Sequence, residues 1–236
     1  MQLKQLELAG GGTLTVYLRD CCERMPNVLD RPLVLVVPGG GYTHVSPRES
    51  DPVALQFAAA GYHTAVLHYA VGESARDALP MRQLAQAIGL VQQHAEQWNI
   101  LPDKIALCGF SAGAHNAAMY SVYWDKPILT DHYQVSEEKL RPAATILGYT
   151  LSDYLFMKAT EKDEMGTLLF DASVTSLLGE ATPSDRTLKE VSPALLVTEK
   201  TPPMFLWATA SDALVPVGHT LRMGMALSER DIPFEM

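Results

Sequence analysis

Between residues 3 and 20, polar and apolar positions alternate on either side of Gly10-Gly11-Gly12. That is the period of a half-buried strand, so the chain is predicted to open with a β-hairpin. From residue 32 the pattern changes. Leu33–Val37 is an unbroken apolar run, the mark of a strand covered on both faces, and it ends in Gly39-Gly40-Gly41. Residues 51–61 carry helical spacing and stop at Gly61, and 63–70 read as the next strand. A long helix is predicted over 75–99, with Pro80 early in it. Residues 103–110 form a strand pattern that runs directly into Ser111, and 112–124 the helix after it. Apolar strands recur at 143–150 and 202–210, with a mixed helical region over about 151–200 between them. A last helix is predicted over 216–231, and "IPFEM" starts a further strand. Strand and helix therefore alternate after the hairpin, which implies βαβ crossovers and a mostly parallel sheet with helices on both faces. No internal repeat or linker-like stretch divides the chain, so a single α/β domain over 1–236 is expected.

Composition narrows the function class more than the fold. Hydrophobic residues make up 47% of the 236 and charged residues 19%, enough for a well-filled core and too apolar for disorder. The net charge of −9 argues against nucleic acid or an anionic membrane as partner. The N-terminus has no apolar leader-like run, and no stretch approaches a membrane span. Cys21, Cys22 and Cys108 are an odd set without metal-ligand spacing, and free thiols in a reducing cytoplasm are expected. Neither C-x-x-C nor H-E-x-x-H occurs, so no metal and no cofactor are implied.

Three short stretches carry candidate chemistry. In "GFSAGAH" (109–115) Ser111 stands between a predicted strand and helix, flanked by Gly109 and Gly113. A serine on so sharp a turn is exposed, and the helix N-terminus aims free N–H groups at charge developing nearby. G-x-S-x-G alone is weak, and an ordinary strand–turn–helix with a chance serine has the same pattern. "PGGGY" (38–42) follows the first buried strand, and consecutive glycines let backbone N–H groups approach a ligand. It lacks the spacing of a phosphate loop, while a plain flexible turn remains open. In "FLWATASDALVP" (205–216) Asp212 follows an apolar strand late in the chain, either as an active-site acid or as a loop aspartate.

Together these stretches resemble the α/β-hydrolase superfamily, and within it the acetyl xylan esterase and carbohydrate-esterase-like (lipase/esterase) group. The matching segments are "VPGGGYTHVSPRE" (37–49), "LPDKIALCGFSAGAHNAA" (101–118) and "TPPMFLWATASDALVPV" (201–217), and the likeness covers roughly 31–236. The resemblance implies a serine carboxylesterase that cleaves small acyl esters, acetyl esters foremost, through an acyl-enzyme. It makes Ser111 the nucleophile, Asp212 the acid that orients the base, and the N–H groups of Gly40, Gly41 and Ala112 the oxyanion hole. Tyr42 and His44 are expected to contact substrate, and 151–200 to form a cap-like insertion over the site. Pro38 stands where many related esterases have histidine.

The base is the missing part. Seven histidines are present, and only His219 follows Asp212. His63 and His68 lie on a predicted strand, His94 sits deep in the long helix, and His132 falls in a polar stretch. His115 is one helical turn past Ser111, where its side chain leans along the helix and would have to double back to reach the hydroxyl. His44 is expected at the pocket, and His219 at the sheet edge or in solvent. The simplest expectation is a chain cut before its catalytic histidine, leaving strand 203–209 as an open edge that favours a homodimer. The expected partner is a small-molecule ester. A serine peptidase and a non-catalytic hydrolase-fold protein or impaired fragment remain the alternatives.

Overall fold

The computed structural model describes residues 1–22, 24–130, 136–160 and 163–236. The hairpin is β1 (Gln2–Glu7) with β2 (Thr13–Leu18), paired antiparallel around the three glycines. Then come β3 (Arg31–Val37), α1 (Asp51–Ala59), β4 (His63–His68), α2 (Leu79–Gln93) and β5 (Ile100–Phe110). They are followed by α3 (Ala112–Tyr123), the short α4 (Pro127–Thr130) and β6 (Ala144–Gly148). Next are α5 (Tyr154–Ala159), α6 (Glu164–Leu178) and α7 (Asp185–Glu190), then β7 (Met204–Trp207), α8 (Gly218–Ser228) and β8 (Phe234–Glu235).

These strands form one eight-stranded sheet in the order β1-β2-β4-β3-β5-β6-β7-β8. β1, β2 and β4 pair antiparallel, and every pair from β4 through β3 to β8 is parallel. The chain leaves β3 to build β4 on one side, then crosses back to build β5 on the other. In an open α/β sheet that reversal opens a crevice at the carboxyl ends of the two strands, where ligands bind. The glycine loop follows β3 and Ser111 follows β5, so topology alone brings them together.

Alternate residues of β3 divide between two cores, as a pleated strand requires. Leu33, Leu35 and Val37 join the main cluster with α2 and α3, whereas Val34 and Val36 join Ala54 of α1. A third cluster lies off the sheet and joins Tyr154, Met157, Phe170, Val174 and Leu188 of α5, α6 and α7 to Val215.

The structure corrects some boundaries. Helix α2 begins at Leu79 rather than 75, because Asp77 and Ala78 take left-handed backbone angles and the turn at 72–75 is 3-10. β5 starts at Ile100, three residues before its apolar run. β7 is not a fully open edge, since β8 pairs with Met204 and Phe205. Among the described residues no helix is long and apolar enough to cross a membrane.

Candidate active site

Ser111 sits between β5 and α3 with φ 51° and ψ −121°, a backbone state that costs a non-glycine residue on the order of 1–3 kcal/mol. Its N–H donates to the Gly148 carbonyl at the end of β6 (3.0 Å), and its carbonyl accepts from His115 N (2.9 Å). The flanking glycines are required by close backbone approach. A Cβ on Gly113 would overlap the carbonyl oxygens of Val37 and Pro38, and one on Gly109 would lie 2.5 Å from the Gly113 carbonyl. The G-x-S-x-G spacing is thus what lets β3, β5 and α3 converge beneath one serine.

The loop after β3 is folded onto itself. Thr43 N and His44 N both donate to the Gly40 carbonyl, and Ser46 N donates to the Gly39 carbonyl. Gly40 has φ +126°, and a side chain there would overlap the His44 carbonyl. Gly39 N–H donates to Glu49 Oε2 (2.7 Å). Among the described residues the N–H groups of Gly40 and Gly41 have no partner, which leaves two donors at the cavity mouth. Ala112 is fully buried at the first position of α3, where the helix leaves its amide without an internal acceptor.

A cavity of about 530 Å³ opens over this junction, lined by Ser111, Gly40, Gly41, His44, Glu49 and Asp212. Met165, Leu168, Leu169 and Ala172 of α6 supply an apolar wall, so part of the 151–200 region lines the same cavity as the serine. Asp212 is half-buried, and its Oδ1 accepts from Leu214 N and Val215 N, both at 2.9 Å.

Tyr42 does not line this cavity. Its φ of +61° turns the ring inward, where it is 1% exposed and its hydroxyl is 2.6 Å from His115 Nδ1. Since His115 Nε2 is 2.8 Å from the Val191 carbonyl, which can only accept, Nε2 carries the proton and Nδ1 accepts from Tyr42. Tyr42 is an anchor of the glycine loop, together with Tyr69, whose hydroxyl donates to the Pro38 carbonyl.

No described histidine side chain hydrogen-bonds the side chain of Ser111 or Asp212. His44 is exposed at the cavity with Nδ1 3.1 Å from Thr43 Oγ1. Burial pulls His115 down to about 4, against a smaller opposing effect of the Val191 carbonyl. His219 is not at the surface: it is 1% exposed, its Nδ1 accepts from Asp153 N, and burial lowers it to about 4. His63 is buried with Nδ1 accepting from Arg19 N, His68 is exposed, and His94 stacks on Trp98 at 4.5 Å. His132 lies outside the described residues.

Two residues at the site have no motif of their own. Glu49 and Tyr149 both line the cavity, and the Tyr149 hydroxyl donates to Glu49 Oε1 (2.8 Å). The signal available in the sequence was position: Tyr149 directly follows an apolar strand, as Ser111 does.

Residues 24–227 match the model of the family described as BD-FAE. The chain is 30% identical over 207 residues to endo-1,4-beta-xylanase B of Butyrivibrio fibrisolvens, which covers 86% of this chain and 31% of that protein. It is 30% identical over 121 residues to an acetylxylan esterase of Xylanibacter ruminicola, covering 49% of this chain and 22% of that one. The chain spans between 22% and 46% of the length of the curated relatives it matches. Among solved structures, an acetyl ester-xyloside bifunctional hydrolase from Caldicellulosiruptor lactoaceticus superposes with a TM-score of 0.77 at 31% identity, over 95% of this chain and 76% of that one. A carboxylesterase from Lactobacillus plantarum superposes with a TM-score of 0.81 at 29% identity, over 100% and 82%.

Proposed function

The chain belongs to the BD-FAE family and has the α/β-hydrolase fold, and from that premise we propose that it is a serine carboxylesterase acting on small acyl esters. One observation carries the reading: Ser111 is held at φ 51° on the turn into α3, in a cavity shared with Gly40, Gly41 and Asp212. In this reading Ser111 Oγ attacks the ester carbonyl and loses its proton to a base. The carbonyl oxygen becomes an oxyanion that accepts from the N–H groups of Gly40, Gly41 and Ala112. Each such donor contributes about 3–4 kcal/mol at the barrier. The alcohol leaves with the proton, and water releases the acid from the acyl-serine by the same route in reverse.

In this reading Asp212 orients the base, and no described histidine side chain is hydrogen-bonded to fill that role. The relatives' names, acetylxylan esterase and acetyl ester-xyloside bifunctional hydrolase, support acetyl groups on a sugar as the substrate class. His44 supports that reading as a polar contact for the alcohol side. Three free cysteines support a reducing, cytoplasmic setting.

The test is hydrolysis of p-nitrophenyl acetate by the chain and by Ser111→Ala. Turnover above background that disappears in the variant is expected, and equal rates would overturn the proposal. A second reading, a hydrolase-fold protein that binds esters without turning them over, is favoured by the lack of any described histidine side chain hydrogen-bonded to the Ser111 hydroxyl. Under that reading both proteins show background rates, and esters still protect the chain against heat.

A further inference from the structure

We propose that Glu49 is a positioning residue that sets the oxyanion loop against the nucleophile, an assignment that rests on the serine-esterase reading of the same cavity. Its carboxylate makes two hydrogen bonds in different directions: Oε2 accepts from Gly39 N–H at 2.7 Å, and Oε1 from the Tyr149 hydroxyl at 2.8 Å. Gly39 follows β3 and Tyr149 follows β6, while the strand between those two in the sheet is β5, which ends at the serine. One side chain therefore ties together the loops on both sides of the nucleophile. The tie is close to the chemistry. A Cβ built on Gly39 would stand 2.9 Å from Ser111 Cβ and 2.8 Å from Glu49 Oε2, so no side chain fits between carboxylate and serine.

The chemistry of the two donors explains why an acid stands there. Gly39 N–H is a fixed donor that would otherwise be left unsatisfied beside the serine. Glu49 on the Gly39 N–H and Ser46 N on the Gly39 carbonyl hold the two peptide planes on either side of Gly39; the second of these carries the Gly40 N–H, and the N–H groups of Gly40 and Gly41 stay free. Tyr149 is a dependable donor: burial first, then its hydrogen bond to Glu49, push the phenol far above its ordinary range. The Tyr149 ring is fixed in turn between Phe110 and Trp207, with centroids at 5.8 and 5.6 Å, and its N–H donates to the Trp207 carbonyl. Glu49 thus transmits the position of β6 and β7 to the donors that would hold the oxyanion. It acts through Gly39 and touches no substrate atom in this role.

The experiment compares Glu49→Ala, Glu49→Gln and Tyr149→Phe with the unaltered chain, using p-nitrophenyl acetate and a trifluoromethyl ketone that forms an oxyanion on the serine. Displacement of an oxyanion loop by about 1 Å costs roughly 10²-fold. Glu49→Ala is therefore expected to lower kcat by roughly that factor, with KM within about twofold and ketone affinity falling in parallel. Glu49→Gln keeps an acceptor for Gly39 N–H and offers Tyr149 an N–H to accept, so it restores most of kcat. Tyr149→Phe, which removes one of the two bonds, falls between. Unchanged kcat and ketone affinity in Glu49→Ala, or losses traced wholly to a reduced active fraction, would overturn the assignment while Ser111-dependent turnover stands. Turnover that does not depend on Ser111 would overturn the underlying reading instead.

Discussion

The two ends of the candidate site are held by different kinds of force. At the Ser111 end, β3, β5 and α3 approach so closely that backbone meets backbone, and Gly109 and Gly113 are the only residue type that fits. At the Asp212 end, the carboxylate is half-buried on a loop and held by its own side chain, which folds back onto the amides of Leu214 and Val215. The first arrangement belongs to the fold and cannot be altered without disturbing it. The second is local, and it separates chemistry from stability. In this molecule a change at the first end should therefore be read in stability, and a change at the second in rate.

The sharpest way to break that contrast is Asp212→Asn. Asparagine keeps an oxygen to accept from Leu214 N and Val215 N but lacks the charge that, in the proposed mechanism, holds a protonated base. Turnover should fall by about 10⁴-fold with the melting temperature nearly unchanged, as steady-state kinetics and a thermal melt would show. Equal losses in both would mean that the acid loop is structural after all.

Gly113→Ala should do the reverse. Its Cβ would overlap the Val37 and Pro38 carbonyls, neither of which can yield without moving β3. A loss on the order of 3 kcal/mol or more is expected in urea unfolding. An alanine variant of wild-type stability would refute the close-packing account.

A pH series sharpens the comparison because one buried histidine lies beneath each end. His115 supports the glycine loop through Tyr42, and His219 packs beside Asp153 behind the acid loop. Burial lowers both to about 4, whereas an unfolded histidine titrates near 6.5. The unfolded chain takes up protons first, so the stability these neutral rings contribute is complete above about pH 6.5 and declines as pH falls toward 4. Each should add a slope of about 1.4 kcal/mol per pH unit in that window. Urea midpoints from pH 7 to 4 should show the decline, and His115→Gln or His219→Gln should each lower its slope by about 1.4 kcal/mol per pH unit.

The smallest expected effect is Asp212→Ala. Its stability cost beyond Asp212→Asn should be about 1 kcal/mol, the value of a local side-chain-to-backbone cap.

What could be read in advance follows the same division. Unbroken apolar runs and helical spacing located the sheet and its main crossovers, because burial on both faces leaves that pattern directly in the sequence. The G-x-S-x-G turn and the triple glycine were equally legible, since close backbone approach demands glycine at set positions. Side-chain direction was not. Tyr42 points into the core because its φ is +61°, which nothing in its neighbours announces. Glu49 and Tyr149 are partners separated by 100 residues, brought together only by the order of β3, β5 and β6. His219 is buried because α5 and Phe156 cover the start of α8, with the two rings 5.0 Å apart.

The account stands or falls on Ser111 as an activated nucleophile. Intact-mass and peptide analysis after exposure to a fluorophosphonate tests this without reference to any particular ester. A single adduct on the peptide carrying Ser111, lost in Ser111→Ala, is the result expected. A chain that stays unlabelled, or an adduct on another residue, would contradict it.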